Sequence, residues 1–341
     1  MTKAVALLSG GLDSTLAVKM MIDQGIEVHA LNFTSAFCTC DSGKKDKDGN
    51  KITGGCKSQA VRVAEEFNIP IKVLHKGMEY VEIVRNPKHG YGKGINPCMD
   101  CRVFMFKLAK KYMAEIGAEF AITGEVLGQR PMSQRLQAME LVERESDMVG
   151  RILRPLCAQQ MKPTIAEETG LVDREKMLGV TGRSRRPQIE LAEEIGVTDY
   201  PCPSGGCLLT DKIFSKKIRD LLDNKAKVTT KDLNALKYGR HFRSDGVKII
   251  VSRGEAENTP LINLAQDGDT LLVPEDFPGP VAIVTGLNQN GAVETACKIM
   301  LRYSPKAEGK GTIKATLDGE SRMIKAEETM DEEATKDLLV C

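Results

Sequence analysis

The chain contains no tryptophan, and phenylalanine and tyrosine together make up only 4% of its 341 residues. That composition argues against a base-stacking platform for single-stranded nucleic acid. Excess charge is missing too, with 48 Lys and Arg against 47 Asp and Glu. This excludes a globally basic nucleic-acid coat but leaves room for a local basic patch. No apolar run approaches the ~20 residues of a membrane span, and no internal repeat is evident. Met-Thr-Lys at the start runs straight into an apolar strand, so no signal peptide is expected. Cysteine, by contrast, is plentiful, with ten residues. Without an export signal these point to a reducing, cytoplasmic setting, where thiols serve metal or sulfur chemistry more often than disulfides. The length predicts two domains, each able to bury a core without staples.

Residues 3–8 read as a buried strand, and Leu16, Ala17, Met20 and Met21 repeat at helical spacing until Gly25. A second strand follows over 26–33. The pattern recurs with a helix over 58–67, a strand over 70–75, a helix over 99–116 and a strand over 119–123. Such alternation predicts a parallel sheet covered by helices on both faces. The polar stretch 38–57, with Lys44, Lys45 and Lys47, reads as an insertion. Residues 157–212 read as a connecting segment that completes the active site of the 1–156 domain. From 213 to 304 the pattern changes to a basic helix around Lys216–Leu222 and short strands over 247–252, 270–273 and 281–285, a smaller α+β domain. Residues 305–341, rich in Lys, Glu and Gly, read as a loosely packed appendage.

Ser9-Gly10-Gly11-Leu12-Asp13-Ser14-Thr15 lies where the first strand meets the first helix. Two glycines let the backbone approach a ligand, and the helix N-terminus offers unpaired N–H groups to an anion. Ser9, Ser14 and Thr15 add hydroxyls. Asp13 would repel a bare phosphate but suits a Mg2+ bridging it to one. The Walker lysine is absent. The segment resembles the PP-loop of the ATP pyrophosphatase superfamily. That resemblance implies an adenine nucleotide alpha hydrolase (HUP, Rossmann-like) fold, cleavage of ATP between its α- and β-phosphates, and adenylation of a carbonyl-type oxygen.

Three further segments narrow the likeness. Asn96-Pro97-Cys98-Met99-Asp100-Cys101-Arg102 and Cys202-Pro203-Ser204-Gly205-Gly206-Cys207 are similar to the two active-site cysteine regions of tRNA-specific 2-thiouridylases. Thr123-Gly124-Glu125-Val126-Leu127-Gly128-Gln129, with Ser133-Gln134, resembles a segment of tRNA 4-thiouridine synthetases, as does Leu153-Arg154-Pro155-Leu156. The resemblance implies Gly124 at the nucleotide and Arg154 neutralising ATP phosphates, with Asp13, Cys101 and Cys207 as catalytic residues.

Thiolation requires a base oxygen made into a leaving group and a sulfur nucleophile held in place. Cys98 and Cys101 share one helical turn at a helix N-terminus, where a thiolate has a lowered pKa. With Cys207 they make three thiolates, which suits a 4Fe-4S cluster with one open iron. Persulfide exchange between Cys101 and Cys207, ending in a disulfide, is the cluster-free alternative, and zinc would use the same pair. Cys38, Cys40 and Cys56 form a second group, a candidate zinc site pinning the insertion, with Cys157 or a histidine as fourth ligand, or else three free thiols.

Arg183, Arg185 and Arg186 are a candidate phosphate-gripping cluster for RNA. Lys237, Arg240, His241, Arg243 and Lys248 crowd one stretch beside Tyr238 and Phe242. Together with Arg253, Glu257-Asn258 and Pro278-Gly279, this region is similar to the RNA-binding domain of the NFACT family, which implies that Arg240 and Arg253 contact RNA. The leading expectation is an ATP-dependent tRNA sulfurtransferase taking sulfur from sulfide or from a cysteine-desulfurase persulfide. An amidotransferase or ligase acting on a small carboxylate, and an RNA-binding protein with a vestigial ATP fold, are the rivals. The sequence leaves the oligomeric state open, a homodimer included.

Overall fold

The computed structural model describes residues 2–38, 56–197, 207–286 and 289–341. They fall into two units, Met1–Thr210 and Asp211–Cys341. Among the described residues no helix is long and apolar enough to cross a membrane.

In the first unit the order is β1 (Lys3–Leu7), α1 (Leu12–Ile22), β2 (Glu27–Thr34), α2 (Cys56–Glu66), β3 (Ile71–His75), α3 (Gly77–Arg85), α4 (Cys98–Ile116), β4 (Phe120–Thr123), α5 (Leu136–Glu145), β5 (Ile152–Leu153), α6 (Ile165–Glu168) and α7 (Arg186–Glu194). The strands form a parallel sheet ordered β3-β2-β1-β4-β5, as the βαβ alternation predicts. Strand order reverses between β1 and β4, and ligands in such sheets bind beyond the carboxyl ends of the strands at that point. Two apolar cores cover the sheet's faces, one built on α1 and α2 through Val18, Met21 and Val63, the other on α4 through Val103, Phe106 and Met113. Burying a side chain such as Met21 or Phe106, both fully enclosed, is worth about 1.5–3 kcal/mol. Helix α1 is buried on nearly all sides, including Ser14 and Thr15, so its N-terminus is held firmly.

The second unit runs α8 (Lys212–Asn224), α9 (Thr230–Ala235), β6 (Arg240–Ser244), β7 (Val247–Val251), α10 (Glu255–Ile262), β8 (Thr270–Pro274), β9 (Ala282–Thr285), α11 (Asn290–Arg302), β10 (Gly311–Leu317), β11 (Glu320–Ala326) and α12 (Glu332–Leu338). Its sheet is antiparallel, ordered β11-β10-β8-β9-β7-β6. The stretch expected to be a loose appendage instead supplies two strands and a helix. Ile313 and Ala315 alternate into the core while their neighbours face water, so few large apolar residues suffice.

The β6–β7 hairpin also corrects the expected basic patch. Register sets Arg243 opposite Lys248, and both are held by Asp220, the Arg243 Nε and Nη2 lying 2.7 and 3.0 Å from its oxygens. His241 is fully buried. These three side chains build the domain rather than a surface.

Lys217, 4% exposed, donates to the carbonyls of Gly239 and Leu236 at 2.8 and 3.4 Å. Burial pulls its pKa down to about 8. The unfolded chain therefore holds that proton more tightly, so the cost is complete below pH 8 and is relieved between pH 8 and the ordinary lysine value. Raising the pH from 7 to 9.5 should stabilise the protein by about 2 kcal/mol more than it stabilises Lys217→Met. Urea unfolding at the two pH values checks this, and a parallel response of the two proteins would refute it.

Candidate active site

Beyond β1 the chain turns through Ser9, Gly10 and Gly11 into α1. Gly10 has φ +75, and a Cβ there would lie 2.6 Å from the Ala60 nitrogen, so α2 packs directly on the loop. Gly11 caps α1 without a side-chain hydrogen bond, which leaves the first helical N–H groups and the positive end of the dipole open to an anion. The Ser14 and Thr15 hydroxyls donate back to the Gly11 carbonyl at 2.9 and 3.1 Å, and the Ser9 and Ser14 hydroxyls are 3.0 Å apart. From the end of β4, Gly124 closes the other side. A Cβ on Gly124 would sit 2.4 Å from the Asp13 carbonyl, so only glycine allows the two loops to meet.

Together they bound a cavity of about 260 Å3 at the sheet's switch point. Four cations line it, Lys76, Arg102, Arg130 and Arg185, against two carboxylates, Asp13 and Glu125. Burial, with Arg102 and Arg185 close by, depresses the Arg130 pKa, so the cavity carries more positive charge than its own carboxylates neutralise. Sequence reasoning assigned none of Lys76, Arg102 and Arg130 to the nucleotide, because each comes from a separate segment. Arg185 was expected to grip RNA. Its guanidinium instead reaches Asp13 at 3.3 Å, since a bridge between Leu127 and Thr181 pins its segment to the loop after β4. Arg183 is exposed, and Arg186 pairs with Glu190 on the surface of α7.

Asp13 Oδ2 accepts from Gln129 at 3.1 Å as well as from Arg185, while Oδ1 is buried without a partner among the described residues. An orphaned carboxylate oxygen facing a cavity beside an open helix N-terminus fits a Mg2+ ion.

Arg154 corrects another expectation. It is 3% exposed, and its guanidinium lies between Glu125, 3.2 Å away, and Glu143. Burial alone would depress its pKa, but those two carboxylates prevail and raise it. Glu125 in turn holds Arg102 at 3.3 Å. Arg154 thus orients a cavity cation through Glu125 rather than meeting a phosphate itself. It also lines a separate cavity of about 500 Å3, near Val149 and Lys162, which none of the loop or cysteine residues enters.

The thiols lie next to the phosphate cavity. Cys98 and Cys101 open α4, and the Lys76 ammonium, which lines the cavity, donates to Cys101 Sγ at 3.1 Å. Tyr80 is buried beside Cys101, Cys207 and Cys98, and its hydroxyl pKa is pushed far up by burial and by these thiols. The three cysteines named from sequence therefore converge. The lowering of thiol pKa expected at the helix N-terminus is not found at Cys98. Burial, then Cys101, raises Cys98, and burial pushes Cys207 up to about 12. Among the described residues no three His, Cys, Asp or Glu side chains are arranged to hold a metal ion.

Cys38 departs from its expected grouping. A β-bridge joins it to Cys207, with Leu208 N–H donating to the Phe37 carbonyl at 2.9 Å. It lies beside Cys207. Cys40 and Cys202, with the side chain of Cys56, lie outside the described residues. Cys157, the suggested fourth ligand, is buried and bonds the Glu125 carbonyl at 3.4 Å.

A family model described as Thiamine biosynthesis protein (ThiI) matches residues 1–169, and one described as NFACT protein RNA binding domain matches residues 239–337. The first unit is thus similar over most of its length to the ThiI family, and the second over most of its length to the NFACT RNA-binding domain. A probable tRNA sulfurtransferase of Thermococcus kodakarensis is 30% identical over 190 residues, which is 55% of this chain and 44% of that protein. A tRNA-specific 2-thiouridylase MnmA of Clostridium botulinum is 23% identical over 94% of this chain and 90% of that protein. The chain spans less than half the length of the sulfurtransferases it matches at 30% identity. A solved 4-thiouridine synthetase–RNA complex with bound ATP is similar at a TM-score of 0.38 and 20% identity, over 69% of this chain and 52% of that one. The first unit's parallel sheet and the antiparallel sheet of the second unit agree with the α/β-then-α+β organisation expected from sequence.

Proposed function

We propose that this chain is an ATP-dependent tRNA sulfurtransferase that makes thiouridine in the cytoplasm. The observation that carries the reading is Lys76, whose ammonium is shared between the phosphate cavity and Cys101. Sulfur chemistry and nucleotide chemistry thus have a common wall, which an amidotransferase or ligase acting on a small carboxylate would not need.

In this reading a uridine carbonyl oxygen attacks the α-phosphate of ATP, pyrophosphate leaves, and sulfur then displaces AMP from the base carbon. Asp13 would hold Mg2+, which when bound supplies charge neutralisation at the phosphates. Arg102, Arg130 and Arg185 face the developing negative charge, and the open N–H groups of α1 cradle a phosphate. Cys98, Cys101 and Cys207 fit a 4Fe-4S cluster in the chemistry of their donors, three thiols from two segments gathered around Tyr80. A cluster there would supply an open iron site for incoming sulfide. A persulfide at Cys101 or Cys207 is the second reading. It is favoured by the lack of a three-donor arrangement among the described residues.

The test is anaerobic incubation with ATP and unmodified tRNA, with sulfide in one reaction and a cysteine desulfurase plus cysteine in a parallel one, followed by nucleotide chromatography and mass spectrometry of tRNA nucleosides. AMP, pyrophosphate and a thiouridine are expected. ADP as the main product, or AMP formation with no sulfur entering tRNA, would remove the proposal.

A further inference from the structure

The second unit holds a cleft of about 540 Å3, away from its buried Asp220 cluster, lined among others by Arg240, Arg253, Phe277, Pro278 and Tyr303. Its floor is tied together by buried side-chain hydrogen bonds. Ser252, wholly buried, donates to Asn258 and accepts from the Val281 N–H at 3.1 Å, and Asn258 donates to the Gly279 carbonyl at 3.3 Å. Phe277 is held between glycines, since a Cβ on Gly279 would lie 2.9 Å from its ring and one on Gly311 only 2.4 Å. The wall is therefore preformed.

Arg240 lays its guanidinium over the Tyr303 ring, 4.2 Å from the centroid. Among the described residues no carboxylate pairs with it, whereas Arg253 is tied to Glu257 and to the Lys237 carbonyl. Glu255 is the single carboxylate on the cleft's lining. A guanidinium held over an aromatic ring adds a cationic, planar group to that face of the cleft. Such a face accepts a nucleobase by stacking while its N–H groups meet phosphate oxygens. The low aromatic content excludes a long stacking surface, but one unpaired nucleotide needs only one layered pair and a neighbouring edge.

We infer that this cleft binds a single unpaired nucleotide of the RNA, its base stacked on the Arg240–Tyr303 pair and its phosphate directed away from Glu255. The inference rests on tRNA as the substrate and adds which part of an RNA the second unit reads: an unstacked base rather than a duplex backbone.

The test is fluorescence anisotropy of the full-length protein, without ATP, with a labelled single-stranded RNA tetramer and a labelled blunt RNA duplex. The tetramer should bind more tightly than the duplex. Arg240→Gln and Tyr303→Leu should each weaken tetramer binding by roughly five- to a hundredfold, with duplex binding changed far less. Tyr303→Phe, which keeps the ring, should retain it. Equal binding of tetramer and duplex, equal competition by inorganic polyphosphate, or unchanged affinity in both stack variants would overturn the inference. Its failure is distinguishable from failure of the thiolation proposal. Thiolated tRNA with no tetramer binding rejects the cleft alone, and tetramer binding without thiolation rejects the reaction alone.

Discussion

Replacing Asp13 by Asn should reduce AMP formation on the order of 10³-fold while leaving the fold intact. Losing a metal-anchoring charge removes several kcal/mol of transition-state stabilisation. The substitution preserves shape, and Asp13 is not a keystone of packing. Among the described residues its side chain bonds only Gln129 and Arg185 at the cavity wall, so thermal unfolding should shift little. The Asn variant should need far more Mg2+ for any residual rate, because the orphaned Oδ1 would then be a neutral amide atom. Steady-state AMP release across a Mg2+ titration reads both quantities. A variant that keeps the wild-type rate would show that the loop binds phosphate without the aspartate and would end the assignment of Asp13.

The second large effect is expected at the cysteines. Cys101→Ala and Cys207→Ala should each abolish sulfur incorporation into tRNA while ATP binding at Ser9–Thr15 survives, and Cys98→Ala should do so where the three thiols hold a cluster. If a cluster is held, every one of the three should also lose bound iron and the broad absorbance near ~400 nm, since two remaining thiolates hold it poorly. If sulfur is carried as a persulfide, Cys98→Ala should be mild, since only Cys101 and Cys207 exchange sulfur. Iron analysis, absorbance and nucleoside mass spectrometry on the same preparations separate the two. Reconstituted wild type that binds no iron, together with an active Cys98→Ala, would eliminate the cluster. Full activity in Cys101→Ala would eliminate both routes.

The phosphate loop was legible in the sequence because everything that makes it is local: seven consecutive residues, a strand before and a helix after. The cations facing it were not. Lys76, Arg102, Arg130 and Arg185 come from four segments, and only the topology of a parallel sheet gathers them. Arg154 was misread for a related reason. The segment Leu153-Arg154-Pro155-Leu156 suggested a phosphate ligand, but Glu125 and Glu143, from two other elements, hold the Nε and Nη1 of Arg154. Cys38 was grouped with Cys40 and Cys56 by short spacing, whereas its partner Cys207 lies across a long-range bridge. The parallel order of the first sheet followed from hydrophobic alternation. Strands β10 and β11 did not, because β11 is exposed over most of its length and composition alone reads such a strand as unstructured.

That exposure has a further consequence. Strand β11 stands at the end of its sheet, and a bare outer strand offers free N–H and C=O groups on which another chain can polymerise. Glu320, Arg322 and Lys325 all project to solvent there, so any intruding strand would have to strip water from ions of both signs. The hydrophilic bias that hides β11 from sequence reading is the same property that guards the sheet's open margin against runaway self-assembly.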